Sequence, residues 1–243
     1  MQHWHNKGYA RFRYILAYNH KVSFVKENFK TLRKIMLDNQ VRPVGVTSLS
    51  LLESLGEIKR EKFVPENKIA LSYSDMDIKL NSDNRYLMAS ASFAKLAQLA
   101  DVKKDDIVLV VGCGSGYSVA VLSLLANAVV GIEQDEKLAE KANETLSNLN
   151  IGNGVVLNKD ITKGVPSEAP FDVILLEGEV DEVPATLFRQ LRDGARLVAV
   201  IAGDNIGKAS IFVKSKNDIS SRVAFDVKVP RLPILKKEAP FIL

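Results

Sequence analysis

Cysteine is nearly absent. Cys113 is the one thiol among 243 residues, which excludes an internal disulfide and any multi-cysteine metal site and predicts a reducing, cytoplasmic setting. Histidine is almost as scarce, with three in all and none beyond His20. With no imidazole downstream to activate it, Cys113 reads as a small residue lining a ligand pocket rather than as a nucleophile. No apolar run approaches the roughly 20 residues a membrane span requires, and no metal site is expected. Acids are scarce at one end only: residues 1–36 hold eight Lys or Arg against one acid, whereas the remaining chain is slightly acidic. That basic, aromatic opening could meet nucleic acid or an anionic membrane. It lacks the uninterrupted apolar core of a secretory signal, and residues 1–21 are read as a disordered extension, with no nucleic-acid partner assigned.

What the chain does contain is organised around Ile107 to Leu125, IVLVVGCGSGYSVAVLSLL. Ile107 to Val111 is a continuous β-branched run too short for a helix, the pattern of a parallel strand covered on both faces. Gly112, Gly114 and Gly116 follow, and alternate glycines allow a tight turn and the close approach of a ligand. From Tyr117 the apolar positions Val121, Leu122, Leu124 and Leu125 suit a helix packed back on the sheet. The spacing is GxGxG rather than the GxGxxG of a dinucleotide fingerprint, which argues against a nicotinamide cofactor. A second strand, Ala128 to Ile132, delivers Glu133 twenty-one positions beyond Gly112, where a doubly wound fold holds both hydroxyls of a ribose. A solvated cap to the next helix is the alternative for Glu133.

Val155 to Asn158 reads as the third strand, leading to Asp160, which can accept from an adenine amino group or serve as a plain loop aspartate. The fourth, Phe171 to Leu176, brings Glu177 to the same rim. The fifth runs from Ala195 to Ile201, and ASIFVKS and SRVAFDVKV form an antiparallel end to the sheet. Between the strands, Asp135 to Leu149 is an amphipathic helix and Pro184 suits a helical first turn. Ahead of the sheet, helices are expected over Phe24 to Asn39, over Leu49 to Leu55 with Thr47 or Ser48 as cap, and over Arg85 to Ala100. A short helix follows Pro65. The organisation is thus a helical cover over residues 22–100 and a nucleotide-binding core over 101–243.

Four stretches, DNQVRP, REKFVPE, GCGSGYSVAVLSLL and FDVILLEGEVDEVPATLFRQLRDGARLVAVI, resemble the protein-L-isoaspartate O-methyltransferases, from about Asn28 to the C-terminus. The resemblance implies an α/β class I methyltransferase fold with a seven-stranded, mostly parallel, Rossmann-like sheet. It also implies S-adenosyl-L-methionine as cofactor, lying over Gly112, Cys113, Gly114, Ser115 and Gly116, with ribose on Glu133, flanked by Gln134, and adenine beside Asp160 and Ile161. Glu177 completes the cofactor rim. The implied activity is carboxyl methylation of damaged aspartyl residues in a protein or peptide. Two positions depart from the family pattern. Val110 stands where an acid usually precedes the first glycine, and Met88, Ala89 and Ser90 replace a Ser-Gln-Pro-like segment. Ser90 is the catalytic candidate, with Tyr86 and Met88 beside it in the acceptor pocket, and a different acceptor is the alternative.

Overall fold

The computed structural model describes residues 28–233 apart from 82 and 217; the expectation for residues 1–21 falls outside them. The chain is helical over 28–36 (α1), then passes through a π-helical turn, Leu37–Val41, and a 3-10 turn, Arg42–Val44. Helix α2 is Leu49–Glu57, and Ser48 caps it by accepting from the Leu51 N–H. The short helix expected after Pro65 is a 3-10 helix, Glu66–Leu71, and a further 3-10 turn, Arg60–Lys62, precedes it.

The expected helix from Arg85 is corrected. Asn84 takes a left-handed φ of 57°, and Tyr86–Leu87 (β2) pairs antiparallel with Ile78–Lys79 (β1). Helix α3 begins only at Ser90 and ends at Ala100. A turn between two short strands wins over the apolar periodicity that runs through the window by coincidence. Arg85 therefore sits at the tip of a hairpin rather than on a helix.

The core is a seven-stranded sheet in the order β5-β4-β3-β6-β7-β8-β9. Its strands are β3 (Ile107–Val111), β4 (Ala128–Glu133), β5 (Gly154–Asn158), β6 (Phe171–Val180), β7 (Leu191–Ile201), β8 (Gly207–Ser215) and β9 (Asp218–Val227). The first five are parallel, and β8 and β9 close the sheet as an antiparallel meander. Helices α4 (Tyr117–Ser123), α5 (Glu136–Asn148) and α6 (Ala185–Arg189) make the crossovers. Strand β6 runs four residues past the expected end, so Glu177 lies within it.

Alternation along the central strands separates two cores. Val108 and Val110 face the cluster shared with α2 to α5 and the N-terminal elements. Leu109 and Val111 face a second cluster with Ile174, Leu176, Leu187 and Leu232. All four strand residues are inaccessible to solvent, as a parallel sheet covered on both faces requires. The strand order reverses between β4-β3 and β6, which places a crevice beyond the carboxyl ends of β3, β4 and β6.

Candidate functional site

Three strand ends meet at that crevice. After β3 the loop turns through Gly112, Gly114 and Gly116, all with positive φ (73°, 56° and 83°). A side chain at Gly116 would meet Ala142 of α5 at 3.0 Å, so this last glycine serves helix packing. Gly112 and Cys113 both donate their N–H groups to the Ile132 carbonyl (2.8 and 3.1 Å), and Gly116 donates to the Cys113 carbonyl (2.9 Å). The Cys113 side chain turns inward, its Sγ against Gly131 of β4. Burial pushes its thiol well above the usual range, with the Glu133 and Glu177 carboxylates adding to the shift. It stays protonated, which does not suit a nucleophile, and its side chain belongs to the first core. Ser115 Oγ is buried without a partner among the described residues.

Glu133 ends β4 and is wholly buried, so it is not a solvated cap; Asp135 takes that role, accepting from the Leu138 N–H at 3.0 Å. Four residues surround the Glu133 carboxylate. Oε2 accepts from Arg85 Nη2 (2.7 Å), Arg85 Nε (3.2 Å) and the Gly114 N–H (2.9 Å). Oε1 accepts from the Gln134 and Asp135 N–H groups (3.0 and 3.2 Å) and from Arg85 Nε (3.3 Å). Arg85 Nη2 also donates to the Gly112 carbonyl at 2.7 Å. Arg85 is the residue the sequence reading left unassigned. The signal that could have found it is an arginine set among Tyr86, Leu87 and Met88 directly after a turn, because a buried cation must have a partner.

Glu177 stands beside this group, buried, with Ser118 Oγ of α4 donating to its Oε2 at 2.5 Å. Burial pushes its carboxyl up to about 8, against the pull of the Ser118 hydrogen bond and the Arg85 and Arg60 cations. Asp160 lies further out. Its Oδ1 accepts from the Thr162 N–H and Oγ1 (2.9 and 2.7 Å), which lowers its pKa. Ile161 is buried in the second core, whereas Gln134 is exposed.

The segment before α3 closes the inner wall. Arg60, fully buried, donates from Nη2 to the Met88 carbonyl (2.7 Å) and from Nε to the Ser72 carbonyl (2.8 Å). Its guanidinium lies 4.8 Å from the centre of the Tyr117 ring, a cation–π contact. Met88 is thereby tied to the start of α4. Ser90 Oγ is buried without a partner among the described residues. Tyr86 contributes its backbone, its carbonyl 3.7 Å from where a Gly114 Cβ would stand. The rim thus unites Glu133, Glu177, the glycine loop and Arg85, with Asp160 at its outer edge, while Ser90 opens α3.

Residues 32–239 match the family model described as protein-L-isoaspartate(D-aspartate) O-methyltransferase. A protein-L-isoaspartate O-methyltransferase 1 of Syntrophobacter fumaroxidans is 34% identical over 188 residues, which are 77% of this chain and 87% of that protein. A protein-L-isoaspartate O-methyltransferase 2 of an Anaeromyxobacter species is 36% identical over 169 residues, 70% of this chain and 69% of that one. Among solved structures, a protein-L-isoaspartate O-methyltransferase superposes with a TM-score of 0.71 at 27% identity, covering 83% of this chain and 65% of its own. A Plasmodium falciparum structure in complex with S-adenosyl-L-homocysteine shares the fold, with a TM-score of 0.70 at 23% identity over 84% of this chain and 97% of that one.

Proposed function

We infer the reaction from kinship: this chain belongs to the protein-L-isoaspartate(D-aspartate) O-methyltransferase family. It is an S-adenosylmethionine-dependent methyltransferase whose acceptor is a carboxylate of a protein or peptide, an isoaspartyl side chain in the family's own terms. The observation that carries this reading is the junction of a glycine loop, a strand-end acid and a second buried carboxyl at the reversal point of the sheet.

In kind, the residues fit the cofactor. Glu133 has the chemistry to accept both hydroxyls of a ribose, Asp160 and the backbone at Ile161 suit an adenine edge, and the Gly112–Gly116 backbone with Ser115 suits the amino-acid end. When bound, S-adenosylmethionine supplies an electrophilic methyl group on a sulfonium. A carboxylate acceptor is already ionised near neutral pH, so the protein's task is alignment and exclusion of water rather than proton removal. The histidine-free core accords with that demand. The Ser90 hydroxyl, without a partner among the described residues, is the donor we assign to an acceptor carboxylate, and the Arg60 bond to Met88 keeps its segment in place.

Transfer of a labelled methyl group to an isoaspartyl peptide tests the reading. Base-labile label on the peptide is expected with the full chain, reduced at least tenfold by Ser90→Ala. No transfer to isoaspartyl peptide, in a chain that still binds S-adenosylhomocysteine, would favour a second reading. That reading rests on Met88, an apolar side chain whose carbonyl is already taken by Arg60. A peptide backbone finds few matching groups there, which favours a different carboxylate or small-molecule acceptor. Among the described residues no helix is long and apolar enough to cross a membrane.

A further inference from the structure

We propose that Arg85 and the segment Pro230–Leu232 form a latch closed over the nucleotide cradle, so that a nucleoside donor enters only by displacing the arginine from Glu133. The proposal rests on the cofactor reading above and concerns how access to that site is controlled.

The first half of the latch is electrostatic. A carboxylate offers about four lone-pair sites, and the Glu133 oxygens already accept from Arg85, Gly114, Gln134 and Asp135. No capacity is left for two ribose hydroxyls while the guanidinium stays. Arg85 also spans from the acid to the Gly112 carbonyl, so its head group lies across the loop that the cofactor's amino-acid end would use. The hairpin carrying it is fastened from behind. Asn81 Oδ1 accepts from the Arg85 N–H at 3.2 Å, and Asn81 Nδ2 donates to Asp135 Oδ2 at 2.7 Å.

The second half is apolar. After β9 the chain returns over β6: the Glu179 N–H donates to the Pro230 carbonyl and the Leu232 N–H to the Glu179 carbonyl, both at 2.9 Å. Arg231 pairs with Glu179 (3.3 Å) and Asp181 (3.0 Å). This strap sets Leu232 between the ends of the two central strands. Its Cδ1 lies 2.3 Å from where a Gly112 Cβ would stand, and its Cβ 3.0 Å from the corresponding point at Gly178. The open face of Gly112 therefore receives a leucine of the same chain. A separate cleft of about 110 Å³ lies beside Ser115, walled by Phe63, Pro65, Leu80 and Leu138.

A latch of this kind lowers apparent affinity by the fraction of molecules that are open. Variants that weaken either half should therefore bind the nucleoside more tightly than the natural sequence. Titration calorimetry with S-adenosylhomocysteine on the full chain tests this with Arg85→Gln and Leu232→Ala. We expect Kd to fall at least tenfold in the first and at least threefold in the second. Hydrogen exchange at the Glu179 and Leu232 amides should rise on ligand binding, as the strap lifts. Should Arg85→Gln fail to fold, Leu232→Ala decides alone, since it leaves every charge in place. Equal or weaker binding by the variants, with the natural chain binding well, overturns the latch and leaves the methyltransferase reading intact. Absence of binding in all three overturns both.

Discussion

Glu133 and Glu177 stand on one rim, toward the ends of β4 and β6, and both are shielded from water, yet the chain keeps them there by different means. Glu133 is met by a guanidinium and three backbone N–H groups. For Glu177 one serine hydroxyl is the hydrogen bond at its carboxylate, and burial drives it toward the protonated form. A carboxyl can leave solvent by finding donors or by holding a proton, and the two strands that flank β3 use both routes.

Removing the acid from the first site should have the larger effect. Glu133→Ala leaves the Arg85 guanidinium buried without its counter-charge, and breaking such a pair costs about 3–5 kcal/mol. Urea unfolding should register that loss; a change below about 1 kcal/mol would mean that the pair does not hold the hairpin in place. Glu177→Gln should act in the other direction and only at high pH. The folded pKa of about 8 lies above the ordinary 4.5, so the folded state holds a proton that the unfolded chain releases. Stability is then greatest at acid pH and falls as pH rises from about 4.5 to about 8. At about 1.4 kcal/mol per pKa unit, the glutamine variant should be more stable by about 2–4 kcal/mol near pH 8.5 and nearly neutral near pH 5. Parallel pH profiles for the two proteins would remove the proton from Glu177. The smallest effect is expected from Ser118→Ala, which takes away a hydrogen bond that lowers the Glu177 pKa. It should cost about 1 kcal/mol and shift the inflection of the stability profile upward, readable from melts across that pH range.

Most of the sheet was legible because its signal is local. Val108 to Val111 and Ala128 to Ile132 are apolar runs of strand length that end in a glycine or an acid, and the two strands bond where those runs predict. Glu133 was legible for the same reason, as the polar residue at the end of a buried run. Arg85 was not, because its partner lies 48 positions away and its surroundings imitate a helix. Leu232 was still less visible, because no local pattern says which glycine an extended segment will cover. The short helix after Pro65 was legible, whereas the 3-10 turn at Arg60–Lys62 was not, since Arg60 is held by reaching the Ser72 and Met88 carbonyls.

The inward turn of Cys113 turns the protein's sole sulfhydryl into a timekeeper. A thiol reagent reaches that sulfur only when the loop between β3 and α4 parts from β4. The labelling rate of the intact chain therefore counts openings of the crevice one molecule at a time, with no other sulfhydryl to blur the tally.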